Sequence, residues 1–298
     1  MPYQGSEEVA GMSSVYAGKL LRIDLTTGAQ RTEIIDDSDV RRYLLGSGLA
    51  AKRFYEDMDP ALDPLDPSSP LLAFNGALTG TFAPTGCRSS WCGRSPLTGI
   101  WNEANMGGHW GAELRFAGFD GLIVTGRAAG PVYIWIHDGE AEIRPADGLW
   151  GLDHYEAFER LRGETDPKAQ LACIGPAGEN LVRFASVMQG GQEHARAAGR
   201  GGMGALLGSK NLKAIVVRGG TKPTYPDLPS FRSFVRDLNP FIKQNSLGMS
   251  QLGTPGGVAA TELTGDLPIK NWTLGSWKEE AASISGQRIA ETIFDRHT

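Results

Sequence analysis

His194–Lys213 reads H-A-R-A-A-G-R-G-G-M-G-A-L-L-G-S-K-N-L-K. It holds five glycines, Arg196 and Arg200 four residues apart, Lys210 and Lys213, and no acidic side chain. Glycine gives up side-chain contacts so that backbone can turn sharply or approach another surface closely. Free backbone N–H groups with arginines beside them suit a polyanion, most often phosphate. The apolar run Met203–Leu212, with Leu206, Leu207 and Leu212 at helical spacing, predicts a helix whose N-terminus points at that anion. The letters Gly199-x-Gly201-x-x-Gly204 also match a dinucleotide fingerprint, with Arg218 available for a 2′-phosphate. That fingerprint comes directly off a strand and is followed, about twenty residues on, by an acidic residue. Here the strand-like run Leu181–Met188 stops short of the glycines, and the next, Ala214–Val217, ends in Arg218. Tight helix packing is the plain alternative for the glycines. The two arginines inside the run favour an anion site.

Upstream of this stretch, strands outnumber helices. Lys19–Leu25 and Gln30–Ile35 read as a hairpin across Thr26-Thr27-Gly28. Helical patterns start at Asp36 and resume from Leu49 to Met58 after Gly46-Ser47-Gly48. Asp59–Pro70 carries four prolines and must be irregular. Strands are expected at 71–78, 89–93, 100–104 and 120–125. Thr79–Arg88 is a loop ending in a lone arginine. The loop Asn105-Met106-Gly107-Gly108 opens a helix 109–116 capped by Gly118. A second hairpin crosses His137-Asp138-Gly139-Glu140. A helix 153–162 and a strand 171–174 precede Gly175–Asn180. Tight turns between strands make this an α+β fold with two mostly antiparallel sheets and flanking helices, not a βαβ series. We read residues 1–15 as a polar extension and 16–220 as the main domain. After Pro223, Pro226 and Pro229, residues 221–298 read as the start of a helical second domain, apparently truncated.

The 298 residues carry a net charge of −5, which gives no global argument for nucleic acid or membrane. No segment approaches a transmembrane span, and the acidic N-terminus is not a signal peptide. Three cysteines make no disulfide framework, so a cytoplasmic location is expected. Cys87 and Cys92 could supply two metal ligands, but no nearby His or Cys completes a set. His109, His137 and His194 read as surface or hydrogen-bonding histidines, Glu113 as a structural carboxylate, Trp101 and Trp110 as core.

Seven blocks then occur in order: Thr85-Gly86-x-Arg88, Ser95–Gly99, Asn105-x-Gly107-Gly108, Gly111–Gly118, Ile174–Asn180, Arg196–Gly204 and Gly208–Ile215. Together they resemble the N-terminal domain of the aldehyde:ferredoxin oxidoreductase family, the tungstopterin enzymes. Gly253–Trp272 resembles the start of that family's second domain. The resemblance implies two sheets forming a base for a tungsten (or molybdenum) bis-molybdopterin cofactor. It carries pterin-binding roles to Arg88, Asn105, Gly107, Arg196, Ala197, Gly199 and Arg200. It also implies a magnesium ion between the two pterin phosphates, held by the backbone carbonyls of Asn105 and Ala197. Arginine suits a phosphate pair and magnesium takes oxygen ligands, so these roles agree with the residue types. Cys87 stands where a glycine is common before the arginine. The family's [4Fe-4S] cluster motif would lie beyond residue 298, so no cluster ligands or catalytic acid–base residues are expected here.

The activity implied by the resemblance is that of an oxidoreductase. It would convert a small aldehyde to a carboxylic acid and pass electrons through a [4Fe-4S] cluster to ferredoxin. The full-length form is expected to be a homo-oligomer, and this chain alone is expected to be inactive. A stand-alone pterin-binding or assembly module, or an NADP-binding protein, are the alternatives.

Overall fold

The computed structural model describes residues 15–192 and 194–293. The extension 1–14, Glu193 and the terminal residues 294–298 lie outside the described residues. The chain forms two compact units, Met1–Leu228 and Pro229–Thr298.

The first unit contains two six-stranded sheets. One has the order β2-β1-β6-β3-β4-β5, from β1 (Lys19–Asp24), β2 (Gln30–Ile34), β3 (Leu71–Asn75), β4 (Ser89–Arg94), β5 (Trp101–Met106) and β6 (Gly121–Thr125). The other is β11-β10-β9-β12-β7-β8. Its strands are β7 (Val132–His137), β8 (Glu140–Pro145), β9 (Gln170–Cys173), β10 (Val187–Gln189), β11 (Arg196–Ala198) and β12 (Leu212–Arg218). Reading the second from its far edge gives the first with six added to every label. Each sheet has one parallel pair, β1 with β6 and β7 with β12, and is otherwise antiparallel. The chain is thus a topological duplication: hairpin, three antiparallel strands, then a helix leading back to a strand parallel to the first.

The helices follow from local sequence. In α1 (Asp37–Tyr43) the side chain of Asp36 caps Ser38 N–H. Helix α2 (Ser47–Asp57) starts where a side chain on Gly48 would strike the Tyr43 carbonyl, 2.1 Å away. Asp153 and Glu156 form a capping box at the start of α4 (His154–Glu164). Helices α3 (Trp110–Phe116) and α6 (Met203–Ser209) lie between the sheets, and each touches strands of both. Leu21, Trp91, Met106, Trp110, Leu206 and Ile215 belong to that central core. The outer faces are closed by α1 and α2 over one sheet and α4 over the other. Trp110 links the layers, packing on Trp91 and donating from Nε1 to the Ile215 carbonyl at 3.0 Å.

The strand expected at 71–78 ends at Asn75, Asn105 and Met106 belong to β5 rather than to a loop, and the largest corrections fall between 175 and 213. Pro176–Glu179 is a one-turn helix, α5. Residues 181–186 are not strand. Leu181 sits at φ +57°, and the segment turns beneath α6, where Ala185 accepts from Gly204 N–H. Only Val187 and Met188 of that run are strand, within β10, while Arg196–Ala198 of the glycine–arginine stretch pairs with it as β11. Leu212 belongs to β12, because Asn211 at φ +57° ends the helical path.

The second unit holds α7 (Leu228–Asn245), α8 (Leu247–Leu252), a short turn of 3-10 helix (Thr254–Gly257), α9 (Val258–Leu263), α10 (Lys278–Ser283) and α11 (Gly286–Thr292). Among its described residues only Val235 and Ala281 are buried hydrophobics, while Phe234, Phe241, Leu263 and Trp272 are more than 60% exposed. No helix among the described residues is long and apolar enough to cross a membrane.

Candidate functional site

The duplication puts two like junctions side by side. Strand β5 runs through Asn105 into Gly107-Gly108 and then α3. Strand β11 runs through Ala197 into Gly199–Gly202 and then α6. β5 and β11 are edge strands of their sheets and lie next to one another. Gly108, Gly201 and Gly202 have φ of +91°, +66° and +83°, which L side chains rarely adopt. Added Cβ atoms there would fall 1.6 Å from Gln189, 2.2 Å from Asn102 and 2.0 Å from the Arg183 carbonyl. Backbone conformation disfavours a side chain at all three glycines, and at Gly202 a backbone carbonyl also leaves no space for one. Asn102 of β5 donates from Nδ2 to the Arg200 carbonyl at 3.1 Å, tying the second junction to the first.

Arg88 reaches the junction from the loop after β3. A buried staple shapes that loop. Arg115 of α3 donates to Asp120 at 2.7 Å and to the carbonyls of Gly76, Ala77 and Thr79. Asp120 accepts from Gly18 N–H at 2.6 Å on its other oxygen. Thr79 then donates to the Arg88 carbonyl at 2.7 Å. The guanidinium of Arg88 donates to Asn105 Oδ1 at 3.2 Å. A Cβ on Gly107 would lie 4.0 Å from Arg88 Cζ and 3.9 Å from Arg196 Cγ, so both side chains flank that glycine. Asn105, Ala197, Gly199 and Arg200 are exposed on the two junctions, and Gly107 is half-buried.

Charge separates these arginines from those built into the scaffold's ion pairs. Arg22, Arg115, Arg144 and Arg218 pair with carboxylates. Among the described residues Arg88, Arg196 and Arg200 make no ion pair. The Arg88 guanidinium and the stem of Arg196 meet at one glycine without a counter-charge, the Arg196 side chain donating only to the Ala195 carbonyl at 2.8 Å among the described residues, and such an arrangement favours a bound anion. The arrangement can bind a polyanion across the two junctions. Backbone carbonyls at Asn105 and Ala197 could hold a hard cation beside it.

The other sequence candidates fall elsewhere. Arg218 is committed to Glu113, which also accepts from Gly219 N–H at 3.0 Å. The dinucleotide alternative thereby loses its cation, and β11 is a three-residue edge strand rather than the start of a βαβ unit. Cys87 is exposed, whereas Cys92 and Cys173 are buried. Burial pushes the Cys92 thiol far above its ordinary value, and that of Cys173 up to about 12. His154 lies against Cys173 with its pKa lowered by burial, and His137 pairs with Glu142. No group of three or more His, Cys, Asp or Glu among the described residues could hold a metal. A groove of about 690 Å³ between α2 and β5, lined by Phe54, Tyr55, Ile100 and Trp101, is apolar. The cation on its wall, Arg94, is spent on the Pro60, Leu62 and Gly99 carbonyls. Sequence reasoning missed Asn102 and Arg115, whose partners lie far along the chain or in the backbone.

A family model described as aldehyde ferredoxin oxidoreductase, N-terminal domain, matches residues 20–219. The chain is 42% identical over 286 residues to the tungsten-containing aldehyde ferredoxin oxidoreductase of Pyrococcus abyssi, covering 95% of this chain and 46% of that one. It is 32% identical to an aliphatic sulfonate oxidoreductase WOR-like subunit of Pyrococcus furiosus, over 86% of this chain and 43% of the other. Its structure matches the active-site complex of a benzoyl coenzyme A reductase bound to 1,5 dienoyl-CoA. There the TM-score is 0.75 and the identity 36%, covering 79% of this chain and 36% of that one. These matches place the chain among proteins named as oxidoreductases. The chain belongs to the aldehyde ferredoxin oxidoreductase family, and it spans about half the length of the curated relatives it matches.

Proposed function

We propose that the first unit is the cofactor-holding base of a tungsten (or molybdenum) bis-pterin oxidoreductase that converts an aldehyde to a carboxylic acid. The observation that carries this reading is the pair Arg88 and Arg196 flanking Gly107 with no acidic partner among the described residues. A ligand with two phosphates suits two like junctions, one from each half of the duplication. When bound, the tungsten pterin supplies the two-electron redox chemistry. The chain's residues supply grip and orientation. Arg88, Arg196 and Arg200 offer donors to phosphate oxygens. The glycines let backbone approach them, and the carbonyls of Asn105 and Ala197 offer oxygens to magnesium. A [4Fe-4S] cluster takes four thiolates. Cys87, Cys92 and Cys173 are the only cysteines of the chain, and two are buried with raised pKa, so in this reading they do not ligate the cluster that passes electrons to ferredoxin.

The test is composition and turnover of the intact protein from tungstate-supplied cells. Tungsten or molybdenum with pterin, and aldehyde-dependent reduction of a viologen dye, are expected. Arg88→Gln and Arg196→Gln should each lower pterin retention by about 10- to 100-fold, what one charge-assisted hydrogen bond carries. A wild-type protein free of metal and pterin would overturn the reading.

A further inference from the structure

Gln189 ends β10 and sits opposite Arg196 of β11. Its side chain is 1% exposed, yet its amide oxygen Oε1 is buried without a hydrogen-bond partner among the described residues. The amide lies over the first junction: a Cβ on Gly108 would fall 1.6 Å from Nε2 and 2.8 Å from Oε1. Gly108 is the neighbour of Gly107, the residue flanked by Arg88 and Arg196. An unpaired buried amide oxygen destabilises a fold, and a methionine would fill similar space without that cost. Buried atoms of Arg53, Ser69, Asn75 and Arg162 also lack a partner among the described residues, but that of Gln189 lies on the strand paired with Arg196, against Gly108.

We infer that Gln189 is a further cofactor-binding residue, its amide accepting a hydrogen bond from the group seated on Gly107-Gly108. This rests on the pterin reading above. The chemistry complements the arginines. Guanidinium groups only donate, so they serve phosphate oxygens, while a ligand's own donors need an acceptor. Such donors are N–H groups of the pterin heterocycle and waters on a phosphate-bound cation, and an amide oxygen serves either.

The experiment compares wild type with Gln189→Met in the intact protein produced with tungstate. Pterin, tungsten and magnesium content after dialysis are measured, together with the melting temperature of the cofactor-free form. The expected result has opposite signs. Retention falls about 2- to 10-fold, the range one hydrogen bond carries, while the cofactor-free protein melts at the same temperature or higher. Loss of pterin and magnesium together assigns the donor to the heterocycle. Loss of magnesium alone assigns it to a cation-bound water. Unchanged retention overturns the proposal, and so does a drop in both retention and cofactor-free melting temperature, which marks a structural role. A wild type without pterin fails one step earlier, at the reading on which the proposal rests.

Discussion

Lys210 follows α6 fully buried, its ammonium donating to the Pro67 carbonyl at 2.8 Å and the Ser69 carbonyl at 2.7 Å. Burial lowers its pKa from 10.5 to about 7. The unfolded chain keeps this proton up to about pH 10.5, and the folded chain releases it near 7. Between those values the unfolded state binds more protons, so stability rises with pH. We predict that wild type gains stability relative to Lys210→Met from pH 7 towards 10, by at most about 1.4 kcal/mol per pH unit. Urea unfolding of both proteins at three pH values checks it, and a relative loss refutes it. At this scale the sequence disclosed the arginines through their glycine context. It could not disclose Asn102, whose partner Arg200 lies 98 residues away, or Lys210, whose partners are backbone carbonyls.

Among elements, the loop between β3 and β4 depends on α3. Arg115 and Asp120 are 3% and 0% exposed and form the staple that turns residues 76–79 towards Arg88. Lysine cannot reproduce a fork that meets a carboxylate and three carbonyls. Arg115→Met, which removes the charge as well as the fork, should destabilise by about 3–5 kcal/mol, as when one partner of a buried pair is lost. It should also release cofactor before global unfolding, followed by pterin fluorescence during a urea titration; simultaneous loss would deny the loop a positioning role. Hairpins and capped helices were legible because turn and cap residues act locally: Asp138-Gly139 takes positive φ at both positions, and Asp153 caps α4. The run 181–188 misled because Leu181, Val182, Phe184 and Ala185 look like strand, whereas their path is set by α6 above them. Strand β11 was hidden because Arg-Ala-Ala has little strand propensity and is held by β10.

For the whole molecule, the two units differ in how much apolar surface they enclose. The first has three buried clusters, and the second has two buried hydrophobic residues among those described. A chain ending at Leu228 should therefore unfold in a single cooperative transition by circular dichroism. A peptide of residues 229–298 should show no sharp transition. A cooperative melt of the peptide alone would refute this. The repeated strand order was not legible from the sequence, because the halves share topology rather than any quoted motif.

That repetition also fixes which strands lie at the outer edges of the two sheets. An open sheet has two edges, and an unpaired edge is a template for another chain's backbone. Here β5 and β11, the inner edges, lie against each other. The outer edges, β2 and β8, read Gln-Arg-Thr-Glu-Ile and Glu-Ala-Glu-Ile-Arg-Pro. Glu33 is held by Arg22 and Arg31, and Glu142 by Arg144, so each free edge carries a fixed pattern of charge, and β8 ends on a proline. A second molecule adding a strand there would have to match or bury those charges. The same doubling that sets two like junctions side by side thus also leaves two outer borders, each marked with paired charge that disfavours edge-to-edge pairing.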